Sequence, residues 1–192
     1  MKKLFMNGGS WSLVVIFFLG FPRVASPGTT VPVDIQMAIL LKALSYDRRL
    51  ASSTGDIMIG IVKDSDQDNC VQTEAGIIKS IEKMHKLSAH GRNFGVAAVD
   101  LNRLAEKRVD VLYLTRCVAS HAAEITSFSK QKKILTVTAV PSMMMDNVGM
   151  GIFPATDEQT VNQIVVNLKQ VRAEGAIFDS QFLRLTKILE TP

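Results

Sequence analysis

Cysteine and histidine are both scarce in this 192-residue chain, with two of the first and three of the second. That scarcity excludes most metal chemistry. His85, His90 and His121 stand at no zinc-ligand spacing, and no carboxylate joins two of them at helical intervals, so they read as solvated side chains. A dinucleotide fingerprint is also missing. Gly60 falls inside an apolar run and is followed by Lys63-Asp64-Ser65-Asp66, with no G-x-G-x-x-G, so no nucleotide cofactor is expected. Aromatic residues make up 6% of the chain and no Lys/Arg run is interleaved with them, which removes the usual footprint of a nucleic-acid binder. Beyond the N-terminus no apolar stretch approaches the roughly 20 residues a membrane span needs, and no repeat or low-complexity segment is evident.

What is present begins with an export signal. Lys2 and Lys3 supply a positive end, residues 11–21 supply a mostly apolar core, and Arg23-Val24-Ala25-Ser26 supplies small residues for cleavage. Residues 1–28 are therefore assigned as a signal peptide, cut after Ala25 or after Gly28. No cysteine follows the apolar run to carry a lipid. Removing this segment takes Lys2, Lys3 and Arg23 and no acid, so 22 basic residues become 19 against 18 acidic, and the formal charge falls from +4 to +1. The remaining residues, 29–192, suit one domain outside the cytoplasm.

Apolar spacing sets the order of elements. Val33, Met37, Leu40 and Leu44 recur at helical intervals up to Tyr46-Asp47-Arg48-Arg49. Residues 57–62 form a continuous apolar run of the kind that fills a strand buried on both faces. Asn69 and Gln72 form a capping box for a helix with Ile77, Ile81 and Met84 on one side. Strands are expected at residues 94–99, 109–114 and 134–138, with helices at 101–106 and 118–128 between them. Two further strands are expected at 149–153 and 163–168. Helical spacing competes in the second, but the β-branched Ile164-Val165-Val166 run favours a strand. A last helix is expected over residues 179–189. Alternation of this kind predicts an α/β three-layer sandwich, a mainly parallel, Rossmann-like sheet with helices on both faces.

No complete catalytic set emerges. Cys70 and Cys117 both follow the carboxyl ends of expected strands, in the first turns of the next helices. In an oxidising compartment they are a disulfide candidate closing a loop of about 46 residues, which the chain-entropy model values at roughly 4 kcal/mol. A reactive thiol at a helix start, and two separate buried thiols, are the competing readings. Cys117 and His121 lie four residues apart and are a nucleophile-and-base candidate that lacks an orienting partner. Met143-Met144-Met145, with Met150, suggests either soft Cu(I) ligation or a loop packed on the core. Open parallel sheets bind ligands at the carboxyl ends of their strands. That rule gathers Asp64, Ser65, Asp100, Arg116, Ser120, Thr138 and Pro141 on one rim as candidates for a small ligand. Ordinary helix capping and polar loop surface explain the same residues.

Three segments together resemble the YfiR-like family of exported bacterial proteins. The first is Leu40-Leu41-Lys42-Ala43-Leu44-Ser45-Tyr46-Asp47-Arg48, similar to an opening helix of that family. The second is Ile134-Leu135-Thr136-Val137-Thr138 followed by Val148-Gly149-Met150-Gly151-Ile152, similar to its strand, loop and glycine-containing strand. The third is Val166-Asn167-Leu168 with Gly175 and then residues 178–185, similar to its closing strand and helix. Ala139 departs from the aspartate many members carry there, and Val148 replaces one of two glycines. The resemblance implies a periplasmic domain without catalysis, one that binds an inner-membrane signalling protein such as a diguanylate cyclase and limits cyclic-di-GMP output and biofilm formation. A homodimer and a small controlling ligand are compatible with it. The rival expectations are a periplasmic solute-binding protein, which would ordinarily need a second lobe to close over its solute, and, further off, a Cys/His enzyme.

Overall fold

A computed structural model of the chain describes residues 31–64, 70–84, 86–154 and 162–189. The assigned signal segment lies outside the described residues, as do Ser65, Asn69 and His85. No helix among the described residues is long and apolar enough to cross a membrane.

Among the described residues eight strands form one mixed sheet. They are β1 (Ile57–Lys63), β2 (Ser88–Ala89), β3 (Arg92–Asp100), β4 (Val111–Leu114), β5 (Leu135–Thr138), β6 (Met150–Phe153), β7 (Gln163–Asn167) and β8 (Lys187–Leu189). Their order across the sheet is β2-β3-β1-β4-β5-β6-β7-β8. The run from β3 to β6 is parallel, β2 and β7 pair antiparallel with their inner neighbours, and β8 returns parallel to β7. The apolar run read as a doubly buried strand is β1, in which Ile57 and residues 59–62 are buried and Met58 is half-buried, and every residue of β4 and of β5 is buried as well. The expected fold class therefore holds.

Two cores lie on opposite faces of the sheet. On the first, α1 (Val33–Leu44) turns Met37, Leu40, Leu41 and Leu44 inward beside Ile77 and Ile81 of α3 (Cys70–Lys83). On the second, Ala122 and Ile125 of α4 (Ala122–Lys132) pack with Val62, Leu112 and Leu114, joined by Val118, Met143 and Met144 from flanking 3-10 turns. Val118 belongs to the 3-10 turn Arg116–His121, so the helix expected from residue 118 starts as α4 only at Ala122. The strand expected at residues 163–168 is present as β7, ending at Asn167, whose side-chain oxygen caps α5 (Leu168–Ala173) by accepting from the Gln170 N–H at 3.1 Å.

One expectation fails. Residues 179–189 do not form a continuous helix: α6 (Ser180–Leu183) makes a single turn and the chain then extends into β8. The apolar residues there serve two environments. Phe182 turns into the first core, Leu185 is left 72% exposed, and Ile188 pairs across from Val166 in the sheet. Spacing that looked helical is a turn followed by an edge strand.

The corner after α1 is tied to the far end of the chain by a buried carboxylate. Asp47, fully buried at the start of α2 (Arg48–Ala51), accepts from the N–H of Arg49 at 3.0 Å and of Ile177 at 2.9 Å, with the Arg49 guanidinium 3.4 Å away. Arg49 reaches on to the carbonyls of Lys133 and Asp110. Removing one partner of a buried, hydrogen-bonded charge leaves the others unsatisfied. Asp47→Ala should therefore cost about 3 kcal/mol, read as a lower urea midpoint, and Asp47→Asn, which keeps an acceptor, should cost less. Equal losses in the two variants would show that a neutral acceptor of the same size replaces none of what the carboxylate contributes, against this expectation.

Candidate functional site

The carboxyl ends of β3, β1, β4 and β5 stand side by side, which brings Asp100, Asp64, Arg116 and Thr138 to one edge of the sheet. Asp100 caps the following 3-10 turn, accepting from the Asn102 N–H at 3.0 Å, and Asp64 is half-buried. Arg116, Ser120 and Pro141 are exposed. Thr138 is buried and faces inward: its hydroxyl donates to the Leu114 carbonyl at 3.0 Å and accepts from the Val140 N–H at 3.0 Å. It ties β4 to β5 and the turn behind them, and offers no open group to a ligand. None of four surface grooves lined by the described residues includes a rim residue.

The connection from β1 runs toward β3 and that from β4 toward β5, so the sheet's switch point lies between the ends of β1 and β4. Cys117 sits just beyond β4 at this point and is disulfide-bonded. Cys70 is the first residue of α3, and its side chain lies outside the described residues. A bonded sulfur is not a nucleophile, so the Cys117–His121 pair has no thiolate to activate. His121 instead places Nδ1 3.5 Å from Glu124 Oε2 on the surface. The methionine run does not converge either. Met143 and Met144 are buried in the second core while Met145 is 87% exposed. Among the described residues no three His, Cys, Asp or Glu side chains are placed to hold a metal ion.

Sequence reasoning missed a buried polar knot at the other side of the sheet. β6 joins β5 only from Val137 onward, which leaves the Thr136 N–H without a strand partner on that side. Glu174, fully buried just after α5, fills the gap. Its Oε2 accepts from the Thr136 N–H at 2.9 Å, and its Oε1 accepts from the Thr136 hydroxyl at 2.6 Å and from Gln170 Nε2 at 2.8 Å. The Thr136 hydroxyl in turn accepts from the Gly149 N–H at 2.9 Å. Gly149 has to be glycine here, because a Cβ would stand 2.5 Å from Glu174 Oε2 and 3.2 Å from the Thr136 carbonyl oxygen. Burial pushes the Glu174 carboxyl up to about 7, against the pull of the Thr136 and Gln170 hydrogen bonds and the charge of Lys130.

The other unanticipated feature is an apolar groove of about 560 Å³ along the outer face of α1. Ile35, Ala38 and Ile39 form one wall, and Ile164, Phe182 and Leu185 line it from β7 and the α6 segment. Asp34 and Lys42 mark its ends. Tyr46 stacks on Phe182 with ring centroids 5.5 Å apart, and the Lys42 ammonium lies 5.3 Å from the Tyr46 ring centre. The signal was present in the sequence as a second apolar stripe on α1, hidden because the Met37-Leu40-Leu44 stripe already accounted for the core.

A family model described as YfiR/HmsC-like matches residues 34–187. No curated protein matches the chain. Among solved structures, a conserved domain protein from Vibrio cholerae O1 biovar El Tor is similar at a TM-score of 0.58 and 14% identity, over 85% of this chain and 61% of that one. An ABC domain from Streptococcus pneumonia, solved with L-Trp, has a TM-score of 0.56 at 14% identity, over 82% of this chain and 60% of that one. The ligand-free, open form of CD0873, a substrate binding protein with adhesive properties from Clostridium difficile, has a TM-score of 0.52 at 13% identity, over 71% of this chain and 55% of that one. The chain thus spans less than two thirds of each of these structures, and the likeness establishes the α/β fold alone.

The Glu174 knot makes stability depend on pH with a defined sign. Its carboxyl is raised from 4.5 to about 7 by folding, so the folded state holds a proton that the unfolded state has released. The stabilisation is complete below pH 4.5 and is lost as pH rises through about 7. Relative to Glu174→Gln, the wild type should lose about 3 kcal/mol across that window. Urea unfolding at several pH values checks this, and parallel profiles for the two proteins would refute it.

Proposed function

The chain belongs to the YfiR/HmsC-like family, which its match over residues 34–187 establishes, and from that premise we propose that it is an exported, periplasmic regulatory protein. It acts by binding an inner-membrane signalling protein, specifically a diguanylate cyclase, and so controls cyclic-di-GMP output and biofilm formation. The family match is the observation that carries this reading. The N-terminal pattern of residues 1–28 supports export. Regulation of this kind needs a surface whose affinity differs between two states of the receptor and needs no catalytic set. That fits a domain whose strand-end polar residues cap turns and tie strands together.

The test is genetic and biochemical together. Deleting the gene in its native host should change cyclic-di-GMP and biofilm mass, and an export-competent copy should restore both where a copy without residues 1–28 does not. Affinity capture from detergent-solubilised membranes should recover a cyclase. Unchanged cyclic-di-GMP with no membrane protein recovered would end this reading.

Within that compartment we propose that Cys117 is bonded to Cys70, which pins the first turn of α3 to the end of β4 across the switch point. Non-reducing peptide mapping of the folded protein should give one cross-linked peptide pair and no free thiol. Replacing both cysteines with Ala should lower stability by roughly 2–4 kcal/mol. Two reactive thiols in the folded protein would refute the pairing.

A further inference from the structure

The sheet is left open along most of its β3 side. β1 pairs with β3 from Phe94 to Asp100 on the inner side, whereas β2 covers only Arg92 and Asn93 on the outer side, and among the described residues no strand pairs there beyond Asn93. Residues 94–98 are accordingly half-buried, where β4 and β5 in the middle of the sheet are buried throughout. The hairpin fixes which backbone groups face out. His90 and Gly91, at φ 55° and 72°, form a two-residue turn that makes Ala89 and Arg92 a hydrogen-bonded pair. Phe94, Val96 and Ala98 are in step with Arg92, so their N–H and C=O groups point to the open side, while Gly95, Ala97 and Val99 turn theirs to β1. We propose that this edge is a β-augmentation site, which takes a short extended segment of another protein as an added strand.

The edge lacks the devices by which sheets refuse pairing. Residues 94–99, Phe-Gly-Val-Ala-Ala-Val, hold no charge and no proline, and the ladder to β1 runs through in register without a bulge. The opposite edge is β8, three residues long and opened by Lys187. The open stretch is also closed at both ends, by β2 at Asn93 and by the turn of the chain into the 3-10 segment Leu101–Glu106 after Asp100. That leaves room for one strand of about seven residues, roughly 23 Å long. Backbone groups in alternation are matched only by another extended backbone, and the side chains beside them set its composition. Phe94 and Val96 lean on the first core, and Gly95 has no side chain because the Met58 sulfur occupies its place. A charge laid against these groups would lose water and gain no partner, so the matching segment is uncharged in its middle and β-branched or aromatic at alternate positions. The inference does not depend on the regulatory role, since backbone geometry alone sets the site.

A synthetic strand, Lys-Val-Thr-Val-Thr-Val-Lys, tests it when N-methylated at its three valines, which leaves one edge able to hydrogen-bond and prevents self-assembly. Residue-resolved amide exchange on the exported, processed protein should show the Phe94, Val96 and Ala98 N–H groups exchanging fast and those of Gly95 and Ala97 slowly. Saturating probe should slow the first set about tenfold or more, and a probe methylated at every residue should not. Ala98→Pro removes one outward N–H and leaves the β1 ladder intact, so it should raise the probe's dissociation constant about tenfold, while Leu185→Ser in the α1 groove should leave it unchanged. Outward amides already protected in the free protein would overturn the proposal, because the edge would then be covered by the chain or by a second copy. So would amides that the probe does not slow, equal slowing by the fully methylated probe, or a folded Ala98→Pro variant that binds the probe as the wild type does. A loss of binding in Leu185→Ser equal to that in Ala98→Pro would move the site to the α1 groove and overturn it as well. The exchange arm uses the wild type alone and decides the matter even where the proline variant does not fold.

Discussion

The Glu174 carboxyl is the constraint on which the second half of this structure depends. A parallel sheet grows by adding strands whose backbone groups find partners at once, but β6 starts too late to serve Thr136. An unpaired buried N–H costs about as much as the hydrogen bonds that define the strand. Glu174 supplies the missing acceptor from the end of α5, and with Thr136 and Gly149 it forms a chain of bonds linking α5, β5 and the entry to β6. The Asn167 N–H donates to the Gly149 carbonyl at 2.9 Å and closes the circuit from β7. The change from parallel to antiparallel growth between β6 and β7 is thus built around a polar centre. Desolvation of the carboxyl outweighs the pull of three donors and is only partly offset by them.

Much of the architecture was legible because burial on both faces leaves a plain mark. The apolar runs that became β1 and β4, and the β-branched run that became β7, name their own positions. What did not show in the sequence depends on long-range partners. The Thr136–Glu174 contact joins residues 38 apart, and the Ile177–Asp47 contact residues 130 apart. Spacing arguments compare neighbours along the chain and have no access to either. The closing segment failed for a related reason: Phe182, Leu185 and Leu189 have helical spacing, and the pairing of Leu189 with Asn167 turns the last of them into strand.

The rim reasoning met a different limit. The rule that strand ends collect ligand groups locates an edge correctly, and the sheet does align Asp100, Asp64, Arg116 and Thr138 there. A rule about backbone direction says nothing of where a hydroxyl points. Thr138 spends both its donor and its acceptor capacity on Leu114 and Val140, and Asp100 holds a helix start. In these two residues the polar atoms are engaged in shaping the turns.

That use of polar groups bears on how such a domain can act. Asp100 and Thr138 are engaged in capping and cross-strand bonds, while apolar surface remains on the faces that the cores leave outward. Helix α1 is the clearest instance, since one side of it carries Met37, Leu40 and Leu44 into the first core while the other carries Ile35, Ala38 and Ile39 along an open groove. A helix apolar on two sides is costly to leave half in water. Tyr46, stacked on Phe182 and touched by Lys42, gives the groove a firm end, and Asp47 next to it anchors the same corner to Ile177. The groove is therefore held from beneath by the fold's own long-range bonds. A rigid, preformed apolar surface loses little conformational freedom when it is covered, so more of its burial is available to binding.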